Sequence, residues 1–215
     1  MTYAGIFDAE GIEGMARANY SEDGNSDNVH VNSHERELAI VRAFAPIGLD
    51  PCSNIHSTVK ARVEWFGPRA TWPNICEDCF GTGKLLGGVE CECQFDIHAV
   101  DGLQSDWKSV LQPGEIAYVN HPYGKYCKPW VAKMNEEGDK GTESVSLTPG
   151  RFDTQWFRSA RPALICWYGR RVAFVDNVLR IGMKDSAKFP SVFLYWGKRV
   201  DEFEQHFKQY GKVTT

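Results

Sequence analysis

Short apolar runs that each stop at a polar residue or a turn constrain this chain most. Ile47-Gly48-Leu49 ends at Asp50-Pro51, and Glu115-Ile116-Ala117-Tyr118-Val119 ends at Asn120. Glu143 to Pro149, Leu164 to Tyr168 and Ser191 to Trp196 are three more such runs. Runs of this length, rich in Val, Ile, Tyr, Phe and Trp, predict strands. Helical stretches alternate with them. Asn32, with Glu35 three residues on, has the form of a capping box, and Leu38, Val41 and Ala45 follow at helical spacing until Pro46 or Gly48. A second helix is predicted from Lys128 to Glu137, stopped by Gly138. Strands alternating with helices predict an α/β domain with a mostly parallel sheet.

In such sheets ligands bind outside the carboxyl ends of the strands. Asp50 and Asn120 fall at two of those ends, and a further acid stands in Asp101-Gly102-Leu103, ahead of Trp107. A carboxylate there can accept from a ribose hydroxyl or an amino group, although a helix cap or a turn would use the same residues.

The tetrad Asn120-His121-Pro122-Tyr123 resembles the Asn-Pro-Pro-Tyr motif of amino-group DNA methyltransferases. The resemblance extends over roughly residues 32–210 to the phage-type DNA N-6-adenine methyltransferases. It is carried by Leu49-Asp50-Pro51-Cys52-Ser53-Asn54, Asp101-Gly102-Leu103 with Trp107, Tyr118 to Gly124, Trp130, Leu147 to Phe157, Gly169 to Phe174 and Ala187 to Ser191. It implies a Rossmann-like methyltransferase sheet that binds S-adenosylmethionine at the strand ends. Asp50, with Pro51 and Ser53, would face the cofactor, and Asp101 would recognise its adenosyl part. Asn120, His121, Pro122 and Tyr123 would form the catalytic tetrad. The Asn amide oxygen and the next main-chain carbonyl would accept from the exocyclic amine of a flipped-out adenine, and Tyr123 would stack on it. In a phage, the reaction would mark DNA against restriction.

His121 departs from the family pattern, which has Pro there. A main-chain carbonyl is all the position must supply, so His is compatible with catalysis, but it lacks the fixed φ of Pro. Pro122 still restricts it to extended backbone. His121 is thus tolerated, acts on the substrate, or marks a decayed site that only binds DNA or cofactor. Cytosine N4 or RNA are alternative targets of the same chemistry.

Cysteine usage points to a second constellation. Four of the seven cysteines fall within residues 72–95, as Cys76-x-x-Cys79 and Cys91-x-Cys93. Four thiolates so close suit a tetrahedral structural Zn2+. The Cys-x-Cys half is tighter than the usual spacing, which leaves the fourth ligand open between Cys91, Cys93 and His98. Cys52, Cys127 and Cys166 read as small buried hydrophobes.

Charge is unevenly spread. The chain carries a net −4, yet residues 1–37 hold eight acids against Arg17 and Arg36, and residues 150–199 hold ten basic side chains against three acids. Residues 1–31 are expected to form an acidic arm, and residues 32–215 the methyltransferase-like domain with the cysteine insert. Arg151, Arg158, Arg161, Arg170 and Arg171 are the candidates for DNA phosphate contacts, with ordinary surface charge as the competing reading. The beginning of the sequence lacks the basic and apolar regions of a secretory signal, and no apolar run reaches about 18 residues, so a cytoplasmic protein is expected.

Overall fold

The computed structural model describes residues 31–53, 57–65, 100–176, 181–182, 187 and 189–215. The acidic arm up to residue 30 and the cysteine insert, including Cys76, Cys79, Cys91, Cys93 and His98, lie outside the described residues.

Ten strands and four helices of four or more residues are described. In chain order they are β1 (Val31–Asn32), α1 (Glu35–Phe44), β2 (Ile47–Asp50), β3 (Val63–Glu64), β4 (Ile116–Val119), α2 (Cys127–Asp139) and β5 (Ser144–Pro149). Then come α3 (Gln155–Arg158), β6 (Leu164–Tyr168), β7 (Val175–Asp176), β8 (Ile181–Gly182), β9 (Ser191–Trp196), α4 (Val200–Phe207) and β10 (Gly211–Thr214). Seven strands form one sheet in the order β3-β2-β4-β5-β9-β6-β10, and β1, β7 and β8 form a small second sheet.

The apolar runs become strands because both sheet faces are covered. Ile116, Tyr118, Val145, Leu147, Phe193 and Tyr195 point to the face packed by Leu38 and Val41 of α1 and by Phe203 and Phe207 of α4. Ala117, Val119, Val192, Leu194 and Trp196 point to the other face, packed by Trp130, Val131 and Met134 of α2 and Phe157 of α3. Alternate residues of one strand therefore serve two cores.

The sheet is mixed, which corrects the expectation of a mostly parallel one. β3, β2, β4 and β5 pair in parallel. The β5–β9, β9–β6 and β6–β10 ladders are antiparallel and involve more residues. Parallel pairing requires a crossover, usually a helix. Between β6 and β9 the described residues contain no helix, and the chain returns antiparallel. Five strands, β2 to β6, nevertheless share one direction, so their carboxyl ends share an edge.

Two boundaries differ from the sequence expectation. Asn32 belongs to β1, and His34 caps α1, its Nδ1 accepting from Arg36 N at 3.1 Å. Gly138 lies inside α2 instead of stopping it. A Cβ there would sit 2.8 Å from Trp196 Cδ1, so this glycine admits the indole; the chain turns at Gly141, with φ of +82°.

Candidate functional site

The order of the sheet sets one switch point. From β2 the chain moves outward to β3, and β4 then lies on the opposite side of β2. Loops leaving β2 and β4 at the carboxyl edge therefore lead in opposite directions, which marks the usual position of a ligand in an open α/β sheet. These loops carry Asp50-Pro51-Cys52-Ser53 and Asn120-His121-Pro122-Tyr123.

Cys52 joins the two loops. Its thiol is pushed well above the usual range by burial and by the Asp50 carboxylate beside it, while the main-chain N–H of Asn120 opposes that rise. The thiol thus lies between Asp50 and Asn120. Asp50 is buried. Its Oδ1 accepts from Cys52 N at 3.2 Å and its Oδ2 from Ser57 Oγ at 3.4 Å. Burial, with the charge of Glu64 adding to it, raises the Asp50 carboxyl to about 7, against the lowering effect of the Cys52 N–H and Ser53. Glu64 stands across from Asp50 in the β2–β3 register and is also raised, first by burial. Ser53 is buried beside both carboxylates, and its Oγ makes no hydrogen bond of ordinary geometry among the described residues. Pro51 is buried as well.

Asp101 arrives by a different route. A Cβ on Gly102 would sit 2.1 Å from the Pro51 carbonyl oxygen, so the 101–103 turn lies directly on the β2 loop and only glycine fits. Trp107, fully buried, fixes the turn by donating from Nε1 to Gly102 O at 2.7 Å. Asp101 Oδ1 accepts from Leu103 N at 2.9 Å, and its carbonyl accepts from Gln104 N and Ser105 N. The acid shapes a turn while being placed, half-buried, next to the β2 loop.

His121 is 1% exposed. Its Nδ1 lies 2.9 Å from Pro122 O and its Nε2 3.2 Å from Thr148 Oγ1. A carbonyl only accepts, so Nδ1 carries the hydrogen and the Thr148 hydroxyl donates to Nε2. Burial lowers the His121 pKa to about 4, the Pro122 carbonyl partly opposing. The ring is a neutral strut between the β4 loop and the end of β5. It supplies by hydrogen bonding some of the stiffness that Pro would supply covalently.

Tyr123, half-buried, donates to Asn120 Oδ1 over 3.4 Å, a long bond. Its ring meets Phe174 and Phe189 edge-on, each with centroids 5.8 Å away, and also His121. The segment following β6 thus crosses the carboxyl edge and walls the Asn120 loop with aromatic rings.

The five arginines part company. Arg151 pairs with Asp153 and lies near Cys127, immediately beyond the Asn120 loop. Arg158 is exposed and within electrostatic reach of Asp153. Arg171 donates to Ala187 O at 2.9 Å. Arg170 lines a separate cleft of about 560 Å³ with Arg36, Tyr168 and Tyr210. Arg161 pairs with Asp139, at the end of α2 and before β6 begins, and so belongs to the opposite edge of the sheet.

Glu64 and Cys52 are site residues that sequence reasoning missed. The signal for Glu64 was an acid closing a short apolar pair, Val63-Glu64-Trp65, shortly after the Asp50 loop. Among the described residues no group of three His, Cys, Asp or Glu side chains is placed to hold a metal ion. Comparisons with protein-family models, curated proteins and solved structures give no match.

Proposed function

We propose that the protein is an S-adenosylmethionine-dependent DNA methyltransferase acting on adenine N6, built on a Rossmann-like sheet whose first binding loop follows β2. The observation that carries this reading is a juxtaposition at the carboxyl edge: Asp50 and Ser53 on one loop and Asn120 and Tyr123 on the other, with Cys52 between them. The buried Ser53 hydroxyl, buried Asp50 and half-buried Glu64 suit a ligand bearing hydroxyl and amino groups, as S-adenosylmethionine does. Asp50, Ser53, Asp101 and Glu64 would hold it, the carboxylates accepting from its hydroxyl and amino groups. The bound cofactor supplies an electrophilic methyl group. Asn120 Oδ1 and the His121 carbonyl would accept from the adenine amine and turn its lone pair out of the ring plane. Tyr123 would release its long bond to Asn120 as the base enters.

Transfer of label from S-adenosylmethionine into unmethylated DNA tests the proposal, with N6-methyladenine the expected product. Asn120→Ala is expected to lower transfer by about 10²–10³-fold, the range for losing one oriented polar contact to a reacting group, while cofactor affinity changes only a few fold. N4-methylcytosine as product would assign the other base, and cofactor binding without transfer would assign a binding protein. We further propose a structural Zn2+ on Cys76, Cys79, Cys91 and Cys93, on the chemistry of four neighbouring thiolates. Metal analysis of protein purified without chelator tests it.

A further inference from the structure

The β5–α3 turn carries a side chain that the site described above does not use. Phe152 is 67% exposed, while Phe157 in the helix that follows is 7% exposed. Single exposed apolar residues are ordinary; the placing and bracing of this one are not. Arg151 O accepts from Thr154 N at 2.9 Å and from Thr154 Oγ1 at 2.7 Å, closing the turn around Phe152. Arg151 Nε and Nη2 clamp Asp153 at 3.0 and 3.1 Å. Gly150 N donates to Pro190 O at 2.8 Å and anchors the base of the turn. The phenyl ring is therefore held outward on a rigid tip.

That tip stands at the carboxyl edge, one strand from the Asn120 loop. Thr148, four residues before Phe152, touches His121 directly. The Arg151 guanidinium acts on Cys127, where α2 leaves the Asn120 loop. Arg158, exposed, is within electrostatic reach of Asp153 on the turn.

From this we infer that Phe152 is an apolar wedge that enters the DNA stack beside the target base and fills the space that base vacates. The inference rests on the DNA-methyltransferase reading. An exposed aromatic ring on a braced turn that carries Arg151, with Arg158 in the helix that follows, one strand from the Asn120 loop, suits duplex DNA: phosphates meet the cations, and the ring substitutes for lost stacking. Extruding a base costs unstacking energy that a wedge offsets. Phe152 touches neither cofactor nor reacting atoms; it acts as a positioning residue.

The test compares wild type with Phe152→Ala, Phe152→Leu and Phe152→Trp for methyl transfer into duplex DNA and for S-adenosylmethionine affinity by calorimetry. Phe152→Ala is expected to lower duplex transfer by about tenfold or more, the scale of one lost stacking contact. The Leu and Trp variants should keep most of it, and all three should bind cofactor as wild type does. Alanine activity within twofold of wild type would overturn the wedge and leave the ring for a protein partner. Loss of cofactor affinity in step with activity would overturn it in favour of a structural role. Absence of transfer by wild type itself would remove the underlying methyltransferase reading, and the wedge with it.

Discussion

His121 and Asp50 are buried ionisable groups whose charge states folding changes in opposite directions. His121 is held neutral, with a pKa of about 4 against an ordinary 6.5. Between these values the unfolded chain binds a proton that the native ring refuses, so stability is full above about pH 6.5 and falls as pH drops toward 4. His121→Asn, which keeps a donor for Pro122 O, is expected to flatten that acid limb in urea unfolding measured across pH 4–7. Thr148→Val would leave Nε2 without its donor and is expected to cost about 1–3 kcal/mol, the penalty for an unsatisfied buried polar atom. Asp50 has the reverse sign. Its native pKa of about 7 lies above the ordinary 3.8. Its contribution is therefore most favourable below about pH 4 and is lost as pH rises through 7. Asp50→Asn is expected to be more stable than wild type at pH 8, with a smaller advantage at pH 5, and to bind S-adenosylmethionine more weakly. Unfolding midpoints at the two pH values and calorimetry check both parts.

Whole elements show why some of the architecture was legible and some was not. β2, β4, β5, β6 and β9 are apolar runs long enough to be recognised, because strands buried on both faces leave few polar positions. β3 and β10 were not recognised. Val63–Glu64 is only two residues long, and Gly211–Thr214 reads Gly-Lys-Val-Thr, polar and partly exposed. Both lie at sheet edges and become strands because a neighbour offers hydrogen bonds, a fact no local pattern encodes. Gly138 misled for a related reason: a glycine reads as a helix stop until Trp196 is seen packed against it. At the site, Asp50 and Asn120 were legible as strand-end residues. The contact of Gly102 with Pro51, which delivers Asp101, was not. Gly102→Ala should force the two loops apart, given the 2.1 Å approach its Cβ would make. It is expected to weaken S-adenosylmethionine binding by tenfold or more, about 1.4 kcal/mol, as calorimetry would show.

Across the whole molecule, the two edges of the sheet do different work. The carboxyl edge gathers buried Asp50, half-buried Glu64 and Asp101, the Asn120 loop and the aromatic wall around Tyr123. The opposite edge is closed by structural contacts: Arg199 pairs with Glu143 at 2.7 Å, Glu143 accepts from the Tyr195 hydroxyl, and Lys133 pairs with the buried Glu137 at 2.8 Å. One face rests on the stacked pair Phe203–Phe207, whose centroids are 4.0 Å apart. Phe207→Ala is expected to cost about 3–5 kcal/mol, the range for emptying an aromatic core position, measured by urea unfolding. No described helix is long and apolar enough to cross a membrane. The edges also separate the arginines: Arg161→Ala, at the opposite edge, should leave DNA affinity and its salt dependence unchanged. Arg158→Ala should lower affinity and reduce the salt slope by about one phosphate contact. Filter binding over a salt series distinguishes them.

The sequence by itself determined which segments could be buried on both sides, where each buried run had to stop, and hence which polar residues would stand at strand ends. Those are local matters of apolar periodicity and turn chemistry. Only the tertiary structure decided strand order, the antiparallel return of β9, the pairing of Asp50 with Glu64, the seating of the Asp101 turn on Pro51, and the approach of Cys52 to Asn120. Such proximities come from long-range pairing and from close packing of loops far apart in the chain, and neither leaves a trace in the spacing of residues along it.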